Sequence, residues 1–104
     1  MNRLEKNQNY SNYNFEDIKH VDENGIEYWE ARELMPVLQY AKWENFKKVI
    51  QKAIIACENS QIIVKDCFLD VRKPIISGKG KEEFVEDYKL TRYACYLIAQ
   101  NGDS

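Results

Sequence analysis

Few residues in this chain have the type and spacing for bond-making chemistry, and many suit the binding of phosphates. Hydrolysis by a side-chain nucleophile needs the nucleophile, a base and an orienting group within reach of one another. The single histidine, His20, stands in an acid-rich stretch and reads as a solvent-facing or packed structural residue. Carboxylates come in adjacent pairs, Glu16-Asp17, Asp22-Glu23, Glu82-Glu83 and Glu86-Asp87. They fall in predicted turns and strands and match no metal-binding or glycosidase spacing, so solvation is the simpler account. The three cysteines, Cys57, Cys67 and Cys95, form no CxxC or Cys/His cluster, which argues against structural zinc. They read as reduced, largely buried thiols of a cytoplasmic protein. The run Gly78-Lys79-Gly80-Lys81 lacks P-loop spacing and leads into no helix. No catalytic residue, metal or cofactor is therefore expected.

Cations are the chemistry that remains. Net charge is −2 over 104 residues, but it is unevenly spread. Residues 1–40 carry four Lys/Arg and eight Asp/Glu, residues 41–81 nine and four, and residues 82–104 two and five. A basic block lies inside an acidic frame. For any one lysine the plain reading is a solvated face, yet the block coincides with a predicted helix pair.

The elements that must position these lysines follow from periodicity. Tyr28–Cys57 reads as two amphipathic helices broken at Gln39-Tyr40-Ala41-Lys42. The second, about Lys42–Glu58, has an apolar stripe of Trp43, Phe46, Val49/Ile50, Ala53/Ile54 and Cys57. Lys42, Lys47, Lys48 and Lys52 occupy its other positions, as in a helix-turn-helix presenting lysines to phosphates. The first, Ala31 to about Tyr40, contains Pro36 and so is expected to start late or to kink. Before it, Ile18–Glu30 reads as a hairpin with Asn24-Gly25 as a two-residue turn, placing Glu23 opposite Ile26, Val21 opposite Tyr28 and His20 opposite Trp29. Ile62–Val64 suggests a short strand, with Phe68 and Leu69 in the core. Arg72–Ile76 and Glu82–Asp87 read as strands around a cationic tip, Ser77–Lys81. A last helix begins between Asp87 and Thr91, with Leu90, Tyr93/Ala94 and Leu97/Ile98 as its buried stripe and Asn101-Gly102 as its stop.

The predicted class is α+β: two short hairpins in a small antiparallel sheet, packed with about three main helices. Residues 1–13, polar and rich in Asn, read as a mobile tail, and residues 14–104 as one domain. No apolar run approaches the ~20 residues of a membrane span, and there is no signal-peptide pattern. Tyr28, Trp29, Tyr40, Trp43, Tyr88, Tyr93 and Tyr96 suit a base-stacking platform, but at this spacing most read as core, with Tyr40 and Tyr96 left open.

Two tracts, Phe15–Ser60 and Val85–Asp103, resemble the N-terminal part of the DNA-damage-inducible protein D family. More distantly the layout resembles the Bro-N domain of viral and phage antirepressor-type proteins, with Trp29, Ala31, Leu34, Leu38 and Tyr40 at its pattern positions. Gln39 stands where that pattern has glycine, which puts the turn geometry in question. The chain ends where such proteins run on, as a truncated domain or short paralogue would. The resemblance implies the DNA-damage (SOS-type) response and no enzymatic activity. The expected partner is DNA, met at its phosphates by Lys42, Lys47, Lys48, Lys52, Lys73, Lys79 and Lys81, with Arg32 and Arg92 as secondary candidates. The alternative is a protein-interaction module regulating a repair or recombination protein. Oligomeric state is left open.

Overall fold

The computed structural model describes residues 14–102. The expected tail over residues 1–13 lies outside the described residues. Helix α1 is described over residues 14–17, followed by β1 (His20–Val21), β2 (Glu27–Glu30), α2 (Ala31–Val37), α3 (Trp43–Asn59), α4 (Val64–Cys67), β3 (Phe68–Ile76), β4 (Glu82–Leu90) and α5 (Arg92–Asn101). The strands form one antiparallel sheet in the order β1-β2-β4-β3, so the fold is α+β as expected. Register puts Trp29, Leu90 and Phe68 side by side on one face. All three are buried there with Phe46, Ile50, Ala53 and Cys57 of α3 and Ala94 and Ile98 of α5.

The first hairpin differs from expectation by one residue. His20 faces Tyr28 and Val21 faces Glu27, around the three-residue loop Glu23-Asn24-Gly25. Asp22 sets this register: its carboxylate accepts from Asn24 N at 2.8 Å and Ile26 N at 3.0 Å. Only Gly25 takes positive φ, at 80°, and it does so as the bulge after a type I turn. A one-residue slip exchanges the faces of a strand. His20 therefore shares a face with Tyr28, on which it stacks with centroids 5.1 Å apart, while Trp29 lies in the core beside Leu90.

Helix α2 starts at Ala31 despite Pro36, which sits in its last turn. Its N-cap, Glu30, offers no side-chain bond, and the cap comes from β4 instead: Asp87 Oδ1 accepts from Arg32 N at 3.0 Å. Asp87 is 1% exposed, and burial pushes its carboxyl above the usual range. The end of α2 settles the question raised by Gln39. Gln39 N donates to Pro36 O at 2.9 Å and Tyr40 N to Met35 O at 3.0 Å, a Schellman closure. Gln39 takes φ 68° to make it, so the glycine geometry is kept without the glycine. Gln61, at φ 61°, closes α3 the same way, with Ile62 N reaching Cys57 O.

That second closure overturns the strand expected at Ile62–Val64. The chain turns sharply at Gln61, leaves Ile62 and Ile63 exposed, and forms the single-turn α4. Phe68 is buried but Leu69 is 49% exposed, because neighbours on a strand point to opposite faces. Tyr93 is likewise outside the core, and Cys95 takes the inner position on α5. Thr91 caps α5, its Oγ1 accepting from Ala94 N at 3.1 Å. The helix-turn-helix-like pairing is not confirmed: α3 lies chiefly against α5 and meets α2 only slightly. Cys57, Cys67 and Cys95 are buried and form no disulfide, and burial pushes the Cys95 thiol up to about 12. No described helix is long and apolar enough to cross a membrane.

Candidate nucleic-acid interface

The nine cations expected to meet phosphates divide into two sets by what the fold does with them. Four are engaged inside the molecule. Lys47 Nζ lies 2.9 Å from Glu86 Oε1, which also accepts from Trp43 Nε1 at 3.0 Å. The Trp43 bond and then the Lys47 ammonium hold the Glu86 carboxyl below the usual range. Arg32 stacks over Trp43 at 4.2 Å and donates from Nε to the Glu86 carbonyl at 2.7 Å. Lys73 crosses β4 to meet Glu30 Oε1 at 2.6 Å, which raises its own pKa. Arg92 grips Glu27 with two donors at 3.0 Å each, holds Glu16 at 2.7 Å, and lies 4.9 Å over the Trp29 ring. These bonds hold both carboxyls below their usual range and the guanidinium above its own.

The other five, Lys42, Lys48, Lys52, Lys79 and Lys81, have no ion-pair partner among the described residues and are exposed. Lys42 stands at the N-cap of α3. Lys48 and Lys52, one turn apart, lie opposite the stripe that buries Phe46, Ile50, Ala53 and Cys57. Lys79 and Lys81 stand at the β3–β4 tip, where Ser77 N donates to Lys81 O at 2.8 Å and Gly80 takes φ 79°. Between Lys81 and Glu86, where α3 meets β4, lie five strand steps, about 16 Å. The fold thus offers two cationic stations, a helix face and an arm tip. Exposed Arg72 and Lys65, outside the expected set, also lack an ion-pair partner among the described residues. Their only sequence signal is membership of the basic block.

His20 Nε2 lies 2.6 Å from Glu33 Oε1 and 4.0 Å from Glu30 Oε1. These three side chains could offer one ligand atom each within 4.8 Å of one another, although Lys73 already holds Glu30. No hydroxyl or thiol is bonded to His20 among the described residues. Between α1, α2 and α5 opens a mostly apolar cleft of about 670 Å³, lined by Phe15, Leu34, Val37, Leu38, Cys95 and Tyr96 among others.

Residues 17–104 match the BRO family, N-terminal domain (Bro-N). The chain belongs to this family. Over 89 residues the Bro-N domain is 40% identical to DNA damage-inducible protein D of Escherichia coli (strain K12), covering 86% of this chain and 32% of that protein. It spans about a third of that relative's length. No solved structure matches it. Of the residues that carry the resemblance, Trp29 and Ala31 are fully buried and Leu34 nearly so. Tyr40 packs on Phe46 with centroids 5.1 Å apart, and its hydroxyl stands where a Cβ on Gly102 would collide with it.

Proposed function

We propose that this Bro-N domain is a non-enzymatic, DNA-associated binding module of the DNA-damage response. The observation that carries the reading is the split among its cations. Lys42, Lys48, Lys52, Lys79 and Lys81 are left without carboxylate partners among the described residues, in a chain of net charge −2 where acids outnumber bases. A phosphate backbone would supply the missing counter-charge, and such contacts position a protein without reading sequence. Lys47, Lys73, Arg32 and Arg92 would each have to leave an existing partner to join. The 40% identity to DNA damage-inducible protein D supports the setting in the damage response.

The second reading is a protein-interaction module that regulates a repair or recombination protein. It is favoured by the apolar cleft beside α5 and by exposed Ile76 and Phe84. Salt separates the two. Titrations against single- and double-stranded DNA at two ionic strengths should show affinity falling steeply with salt. Lys48→Glu with Lys52→Glu should leave folding intact, weaken DNA association about equally across sequences, and reduce the salt slope by about one per lost contact. Wild-type protein with no DNA affinity at low salt defeats the DNA reading, and the protein-partner reading then leads.

A further inference from the structure

The outer edge of the sheet carries a surface that the DNA reading does not use. β3 is a nine-residue edge strand, Phe68–Ile76, whose one ladder runs to β4. A long edge presents unpaired N–H and C=O groups, and proteins usually blunt it with proline, charge or a cover. Here the usual guards are weak. Lys73 reaches inward over β4 to Glu30 at 2.6 Å, so its charge does not protect the edge. Pro74 is tolerated in an edge strand where its nitrogen faces away from the ladder. By the two-residue alternation of a strand, Asp70 and Arg72 then also turn their N–H and C=O groups outward, while the Phe68 N–H is held by Val64 O. Asp70 and Arg72 are exposed, opposite in sign, and without ion-pair partners among the described residues. Glu86, the residue across from Arg72, is already committed to Trp43 and Lys47.

We propose that β3 pairs antiparallel with β3 of a second copy of this chain, about a two-fold axis at Val71, joining two four-stranded sheets into one. An isologous interface must be self-complementary, and this register is. Each Asp70 faces the partner's Arg72, each Val71 the partner's Val71, and each Phe68 the partner's Pro74. Opposite charges directly across a ladder stabilise it. The Phe68–Pro74 pairs, which have no free backbone donor on either side, fall at the two ends of the new ladder, where this costs least, and the Asp70–Arg72 pairs carry its hydrogen bonds. Moving the axis one residue to Arg72 sets the two arginines against each other. An axis between residues would bring outward-facing groups against inward-facing ones.

Sedimentation equilibrium of the whole chain from micromolar to millimolar concentration tests this. The mass is expected to rise from 12.3 kDa toward twice that value. Asp70→Arg should weaken the dimer roughly tenfold or more, and adding Arg72→Asp should restore it. Circular dichroism verifies the fold of each variant, and Arg72→Asp alone substitutes for Asp70→Arg if that chain does not fold. Val71→Cys locates the axis, because facing Cα atoms of a non-hydrogen-bonded pair are about 4.5 Å apart, within disulfide reach. Mild oxidation should link Val71→Cys into covalent dimers far better than Arg72→Cys. A chain that stays at 12.3 kDa throughout overturns the proposal. So does a dimer indifferent to Asp70→Arg, or one that the charge exchange does not restore. Better linkage through Arg72→Cys overturns the register.

Discussion

Asp22 N donates to Ile26 O and Gly25 N to Asp22 O in the first hairpin; Ser77 N donates to Lys81 O and Gly80 N to Ser77 O in the second. Asp22 Oδ1 receives Asn24 N as Ser77 Oγ receives Lys79 N. The glycines sit at φ 80° and 79°. One loop design therefore closes both hairpins, and what differs is the strands behind it. β1 pairs over two residues, and β2 carries Trp29 straight into the core under the clamp of Arg92. β3 and β4 pair over nine residues, and their outer half, with Ile76 at 71% and Phe84 at 56% exposure, lies away from the core. Turn chemistry sets local geometry, whereas strand length and partners decide whether a hairpin serves the core or reaches from it.

Side-chain deletion gives the largest contrast. Trp29→Ala should cost about 3–5 kcal/mol, since it empties a fully buried site and strips the Phe15 carbonyl of its 2.9 Å donor. Phe84→Ala should change stability by no more than about 0.5 kcal/mol. Urea titration reads both. A Phe84→Ala cost comparable to that of Trp29→Ala would break the comparison and show the arm packed against something in solution.

Next in size is strain at the matched glycines. Valine at positive φ costs about 2 kcal/mol or more. Gly25→Val should transmit that cost to global stability, because β2 runs directly into Trp29 and α2. Gly80→Val should register less than half of it, since the arm's outer rungs can open without unfolding the domain. Thermal melts should show a drop of roughly 8–16 °C for the first and a few degrees for the second. Equal drops would mean that the arm folds as one unit with the core.

Acid should loosen the Arg92 clamp that ties α1 and the first hairpin to α5. Glu16 and Glu27 are held below the usual carboxylate range by Arg92. Their contribution is therefore complete above the unfolded value near 4.5 and is lost as pH falls through the lower folded values. Arg92→Met should lower stability at pH 6 and flatten the decline between pH 6 and pH 3. The decline measured in wild type and variant by urea titration checks this, and parallel curves would show that Arg92 does not carry the acid sensitivity.

The sequence shows the hairpins, the long helix and the last helix, because each has a periodicity that the core enforces. It does not show register: Asn24-Gly25 reads as a two-residue turn, and only the Asp22 carboxylate, bonding two amides ahead, shifts every pair by one. Leu69 reads as core by its apolarity, but adjacency to Phe68 forces it outward. The division of the cations is the least legible feature. Lys47 and Lys73 find carboxylates 39 and 43 residues distant in sequence, and nothing local to either lysine marks the pairing. Lys48, by contrast, is exposed on the side of α3 where the helical stripe alone places it.

The smallest effect on stability is expected where the functional effect is expected to be large. Lys79→Ala with Lys81→Ala removes two exposed side chains that have no ion-pair partner among the described residues, from a loop closed by backbone bonds. Stability should shift by less than about 0.5 kcal/mol. In the first loop, Asp22→Ala with Glu23→Ala should cost more, about 1 kcal/mol, because Asp22 Oδ1 holds two of its amides. If the arm tip meets phosphates, the lysine pair should nonetheless weaken DNA binding and reduce the salt slope by about two. Replacing the acidic pair should leave that slope unchanged. A slope unchanged by both would leave the helix station, Lys42, Lys48 and Lys52, as the one that carries the phosphate contacts.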